Sequence, residues 1–154
     1  MSDDWLLVIP ADPAWVPSGE AANTALAYFR ERVPAHARTA ATVQAKLLDE
    51  IQVVHQGSNW ERLRCPYCST ELETGWWTER MEEAYATKFT RLGVVVPCCG
   101  KQTSLNDLRY EWPAGFARFI LSAMNPEHGW LADAELNAIE ATLGHPVRQI
   151  LRHI

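Results

Sequence analysis

The chain has 154 residues, 47% of them apolar, and a net charge of −5 at neutral pH. That size suits one domain with an elaboration, or two small units, and the apolar share is enough for a buried core. No apolar run approaches the roughly 18 residues that a membrane span requires, and the acidic balance disfavours a general nucleic-acid binder, which needs Lys and Arg to displace counterions from phosphates. The start, Met1-Ser2-Asp3-Asp4, lacks the basic stretch of a secretory signal, so the expected location is cytoplasmic, with reduced thiols.

Trp5 to Ile9 is a short apolar run ended by Pro10 and reads as a buried strand. Pro10, Pro13 and Pro17 make the next stretch a loop. Ser18 is a good N-cap, Glu20 suits a first turn, and Ala22, Leu26, Phe29 and Val33 recur at helical spacing until Pro34, which predicts a helix over 19–33. Residues 35–48 carry no clear period. Residues 50–55 are β-prone, Gly57-Ser58-Asn59 signals a turn, and Trp60 to Arg64 reads as the returning strand of a hairpin.

A second helix is expected on the apolar face Trp77, Met81, Ala84, Tyr85, Phe89 and Leu92, with Gly93 as its C-terminal cap. Leu105, Leu108 and Tyr110 suggest a turn or short helix, and Pro113 and Gly115 a boundary. Phe116 to Met124 reads as a central strand ended by Asn125-Pro126. Asp133 is the expected cap of a third helix, with Leu136, Ile139 and Leu143 on one face and Gly144 and Pro146 at its end. Val147 to Ile154 reads as a closing strand.

The four cysteines fall in two pairs, Cys65-Pro66-Tyr67-Cys68 and Pro97-Cys98-Cys99-Gly100. C-x2-C places two thiolates on one tight turn, and four thiolates satisfy a tetrahedral zinc ion. Each pair follows a β-prone run, Trp60 to Leu63 and Val94 to Val96. Strand, turn and ligand, twice over, resembles a zinc ribbon across the middle third of the chain, and that resemblance implies a structural Zn2+ held by Cys65, Cys68, Cys98 and Cys99. The second pair is adjacent, and neighbouring side chains on an extended strand point to opposite faces. Cys98 and Cys99 can therefore share an ion only if the backbone turns sharply between them; otherwise His55, Asp107 or His128 must complete the site. Cys-Pro-Tyr-Cys is also similar to the active-site tetrapeptide of glutaredoxins, which implies a redox thiol at the start of a helix. Glu71 and Glu73 are the carboxylates nearest the first pair, as a hydrolytic zinc site would need.

The order of elements predicts an α+β fold: a single domain over 1–154, with a ferredoxin-like βαββαβ open sheet, helices on one face, and a zinc-ribbon-like insertion over 60–112. No nucleotide loop, nucleophile elbow or H-E-x-x-H motif is present. Seven tryptophans are many for this length; most are expected to pack, while Trp76, Trp77 and Trp112 are the candidates for a contact surface. The function expected on these grounds is a non-enzymatic zinc-binding scaffold for an unidentified protein partner. The alternatives are a thiol redox or zinc enzyme using Cys65 and Cys68, and a nucleic-acid-binding ribbon using Arg62, Arg64, Arg80 and Lys101.

Overall fold

A computed structural model of the chain describes residues 2–33, 42–126 and 128–154. In chain order the elements are β1 (Asp4–Pro10), α1 (Gly19–Arg32), β2 (Val43–Val54), β3 (Leu63–Arg64), α2 (Thr74–Tyr85), β4 (Gly93–Val95), β5 (Gln102–Ser104), β6 (Arg109–Tyr110), β7 (Gly115–Met124), α3 (Asp133–Leu143) and β8 (Val147–His153). Pro34, the expected stop of α1, and residues 35–41 of the unpatterned stretch 35–48 lie outside the described residues; from Val43 onward that stretch belongs to β2.

Four strands form one antiparallel sheet in the order β2-β7-β1-β8. Side chains alternate across a strand, so Leu6 and Val8 of β1 and Phe119, Leu121 and Ala123 of β7 face one way. Ala25 and Phe29 of α1 and Ile139 and Leu143 of α3 pack on that same face. Two of the expected caps explain where α1 begins and where α3 ends. Ser18 Oγ accepts from the Ala21 N–H at 3.1 Å, and Gly144 takes the left-handed conformation after α3, its N–H bonded to Glu140 O at 2.7 Å. The N-cap of α3 is Ala132 rather than Asp133. Glu135 Oε1 accepts from the Ala132 N–H at 2.9 Å, so the reciprocal Glu contact fixes the start one residue early.

The opposite face is covered by the sheet itself. The pairing of β2 with β7 shifts between Leu47 and Gln52, and such a bulge bends a strand pair. Beyond it, the outer halves of β2 and β7 fold over the face turned away from the helices. Val54 and Ala117 pack there with Leu7, Ile9 and Ile150. The next side chains along this flap, Ile51, Val53 and Phe116, face outward and carry a second apolar cluster, built with Leu63, Leu105 and Leu108. The flap thus has an apolar layer on each side.

This flap overturns the expected hairpin between 50–55 and 60–64. Instead of reversing along β2, the Gly57-Ser58 turn docks on the free end of β8. The Ser58 N–H donates to His153 O at 2.7 Å, the His153 N–H donates to Gln56 O at 3.2 Å, and Arg152 Nε donates to His55 O at 2.8 Å. Gly57 has φ +62° and sits so close that a Cβ there would lie 2.2 Å from His153 O. Its turn residues are read correctly from sequence; their partner is β8.

Between the flap's two strands lies the cysteine-bearing segment. Its pairings are two short ladders, β3 with β6 and β4 with β5, so the region expected as a turn or short helix around 105–110 is a turn between strands. The helix α2 starts at Thr74 and ends at Tyr85, and Gly93 opens β4 instead of capping it. Thr87 Oγ1 donates to Ala84 O at 2.8 Å, and Lys88 and Phe89 take left-handed backbone. A side-chain hydroxyl competing for a helix carbonyl favours such an exit. The early turn brings Phe89 to 5.4 Å from the Phe116 ring.

Candidate metal centre

The two cysteine turns have the same backbone. In the first, Cys65 N–H donates to Thr70 O at 2.9 Å, Ser69 N–H donates to Cys65 O at 3.0 Å, and Ser69 has φ +62°. In the second, Val96 N–H donates to Lys101 O at 3.0 Å, Gly100 N–H donates to Val96 O at 2.9 Å, and Gly100 has φ +71°. Position for position, Val96 stands where Cys65 stands, Pro97 where Pro66 stands, and Cys99 where Cys68 stands. Cys98 occupies the place of Tyr67. Val96 is fully buried in the same apolar cluster as Cys65. The second turn therefore keeps the hydrophobic anchor but moves one thiol two residues along, onto its tip.

Because Pro97 to Cys99 form a turn, the opposite-face rule for strands does not separate Cys98 from Cys99. The four sulfurs lie within 4.8 Å of one another and could hold a metal ion. Cys65 Sγ is 3.8 Å from Cys99 Sγ, and Cys68 Sγ is 3.3 Å from Cys98 Sγ. A tetrahedron with arms of ~2.3 Å, the metal–thiolate length, has edges of ~3.8 Å, so the cluster is of the right size. Among the described residues no other group of three or more His, Cys, Asp or Glu gathers in this way. His55 instead accepts the Gly57 N–H at Nδ1 (3.0 Å), Asp107 faces Arg148 at 3.9 Å, and His128 Nε2 lies 3.9 Å from Glu135. Glu71 approaches Arg62 at 3.8 Å, and Glu73 is the N-cap of α2.

The turns also supply hydrogen bonds to sulfur. Burial opposes the Cys65 thiolate, yet the backbone N–H groups of Cys68 and Tyr67 outweigh it and lower the pKa. Cys68 is pulled down to about 6 by the Thr70 hydroxyl, 3.1 Å from its Sγ, and by the Thr70 backbone. Cys98 is pushed up to about 12 by desolvation and by its Cys68 and Cys65 neighbours. Sulfurs this close cannot all carry charge unless a cation sits among them. Cys65 is buried, while Cys68, Cys98 and Cys99 are exposed. No helix starts at the Cys65 turn: the chain bends through Pro66 to Cys68, and α2 begins only at Thr74. The helix N-terminus that lowers the thiol pKa in a glutaredoxin has no counterpart here.

The three candidate contact tryptophans sit in two places. Trp76 and Trp77 are both half-buried against the cluster beneath the cysteines, with Trp77 5.1 Å from the Trp60 ring and its Nε1 donating to Tyr110 Oη at 3.2 Å. Trp112 stacks on Trp130 at 5.9 Å, and Trp130 is 44% exposed. The most open aromatic rings of the cysteine-bearing segment are Tyr67 and Tyr85. Thr70 and Val96 were missed as parts of the centre. Aligning the two turns on their prolines, Pro66 and Pro97, instead of on their first cysteines would have found Val96; Thr70 falls opposite Lys101 and carries no such signal.

No protein-family model matches the chain, and neither curated proteins nor solved structures yield a match. Among the described residues no helix is long and apolar enough to cross a membrane.

Proposed function

We propose that this chain is a zinc-binding protein of the cytoplasm in which a four-thiolate ion holds a ribbon-like insertion, residues 60–112, on a ferredoxin-like βαββαβ sheet as a scaffold for protein contacts. The carrying observation is the convergence of Cys65, Cys68, Cys98 and Cys99 within 4.8 Å. Soft thiolates select zinc over hard cations, and a set of four protein ligands leaves no open position for substrate, which is the pattern of a structural site. The sheet order β2-β7-β1-β8, with α1 joining β1 to β2 and α3 joining β7 to β8, supports the ferredoxin-like reading. The paired turns and their short ladders support the ribbon reading.

The basic residues of the insertion favour a structural role over a nucleic-acid surface. Arg62 and Arg64 face Glu111 at 3.3 and 2.8 Å, Arg80 faces Glu83 at 3.1 Å, and Lys101 lies 5.0 Å from the Tyr67 ring. Charges spent on carboxylates are poor phosphate contacts. On this reading Trp76 and Trp77 brace the insertion from inside, and Trp112 with Trp130 forms the aromatic part of the partner face.

Elemental analysis of the purified native protein tests the centre. One zinc per chain is expected, with all four thiols slow to alkylate until a chelator is added. A fully ordered protein without metal, carrying one fast thiol, overturns the proposal in favour of thiol chemistry.

A further inference from the structure

A cleft at the end of the sheet takes no part in the metal centre. It measures about 620 Å3 and opens where the start of β1, the end of β8, Asn125, Pro126, His128, Gly129 and Trp112 meet. Clefts of a few hundred Å3 suit a small organic molecule.

Its polar groups are oriented in advance. Asn125 Nδ2 donates to Asp3 Oδ1 at 3.0 Å, and Asp4 Oδ1 lies 2.6 Å from His153 Nδ1. Among the described residues each carboxylate is held through Oδ1, which leaves Oδ2 to meet a ligand. Trp112 is held at its edge, where Nε1 donates to Glu61 Oε1 at 3.3 Å. Two cleft residues, Trp112 (φ +65°) and Asn125 (φ +49°), have left-handed backbone. That conformation is tolerated by Asn but strained for a bulky Trp, and strain of this kind clusters at ligand sites.

The charge and chemistry of the lining select the ligand. Asp3 and Asp4 stand against one guanidinium, Arg152, whose Nε is already committed to His55 O at 2.8 Å. Counted over its carboxylates and its guanidinium, the lining carries one net negative charge. Trp112, and Trp5 on the side of its ring away from Lys46, whose Nζ lies 5.9 Å from the ring centre, add aromatic surface, which attracts cations and flat apolar bodies alike. A metal ion is not the fit, because these carboxylates and histidines do not bring three ligand atoms together.

We propose that this cleft binds an organic cation, an ammonium or guanidinium group on a flat apolar body, with Asp3 and Asp4 meeting the charge and the indoles meeting the body.

The test uses the full-length, metal-loaded protein and three probes sharing one body: 2-phenylethylamine, 2-phenylethanol and phenylacetate. Binding is followed through the Trp112 indole N–H resonance, assigned with Trp112→Phe. The amine should saturate the shift, with the alcohol about tenfold weaker and the carboxylate weaker still, as expected for one charge contact near a surface. Asp3→Asn and Asp4→Asn keep the shape and the Oδ1 acceptor, and each should weaken the amine several-fold without moving the alcohol. Equal binding of all three probes, or no Trp112 shift with any of them up to about 10 mM, a range in which weak fragment binding is still seen, overturns the proposal. Zinc content measured on the same samples reports separately on the metal centre.

Discussion

The helix-covered sheet and the cysteine-bearing segment solve the same problem by different means. The sheet buries Phe29, Phe119, Leu121 and Ile139 between two helices and four paired strands. The segment has a helix, one isolated bridge and two ladders of two and three residue pairs, with half-buried rings around a smaller buried cluster. A two-stranded ladder is marginal alone in water. Where apolar burial suffices, the chain spends no cysteines; where it does not, it places all four.

The largest break in this comparison is Cys65→Ser. Metal binding to such sites is coupled to folding by about 10 kcal/mol or more. The variant should lose zinc and the near-UV signal of Trp60 and Trp77, while amide exchange in β1 and β8 stays protected. Next, Phe119→Ala removes a fully buried ring from the sheet and should cost about 3–5 kcal/mol, read as a lower urea midpoint with zinc retained. A smaller effect is expected of His55, whose pKa burial, and then Arg152, hold below the usual 6.5. Its neutral form accepts the Gly57 N–H. A lowered folded pKa means that this stability is present above pH 6.5 and is lost as pH falls through the lower folded value. The urea midpoint should drop slightly over that range, and His55→Gln should flatten the slope. The smallest effect belongs to Val96→Cys with Cys98→Ala, which returns the second turn to the spacing of the first. Zinc stoichiometry should be unchanged, and loss of the metal would show that the two turns are not equivalent around the ion.

Much of the sheet was legible because its signals are local. Trp5 to Ile9, Ser18 with its helix, Phe116 to Met124 and the Gly144 stop each follow from residues next to one another. The start of β2 at Val43 was not legible, because its inner half meets the sheet through pairing with β7, not through a period of its own. The Gly57 turn was legible as a turn, but its partner, His153, lies far along the chain and leaves no local signal. In the centre, all four cysteines were legible as a group. That Val96 stands in the place of Cys65 could not be seen from cysteine spacing, since the equivalence shows only when the turns are matched on their prolines and their shared hydrogen bonds.

The flap formed by β2 and β7 is a party wall between two apolar compartments. Ile51, Val53 and Phe116 line one room, and Val54 and Ala117 line the other. Cutting out residues 60–112 and joining the ends would strip one side of that wall bare. The trimmed protein would have its helical half intact and a greasy exterior in place of the lobe, so it should clump rather than stand as a minimal version of the whole.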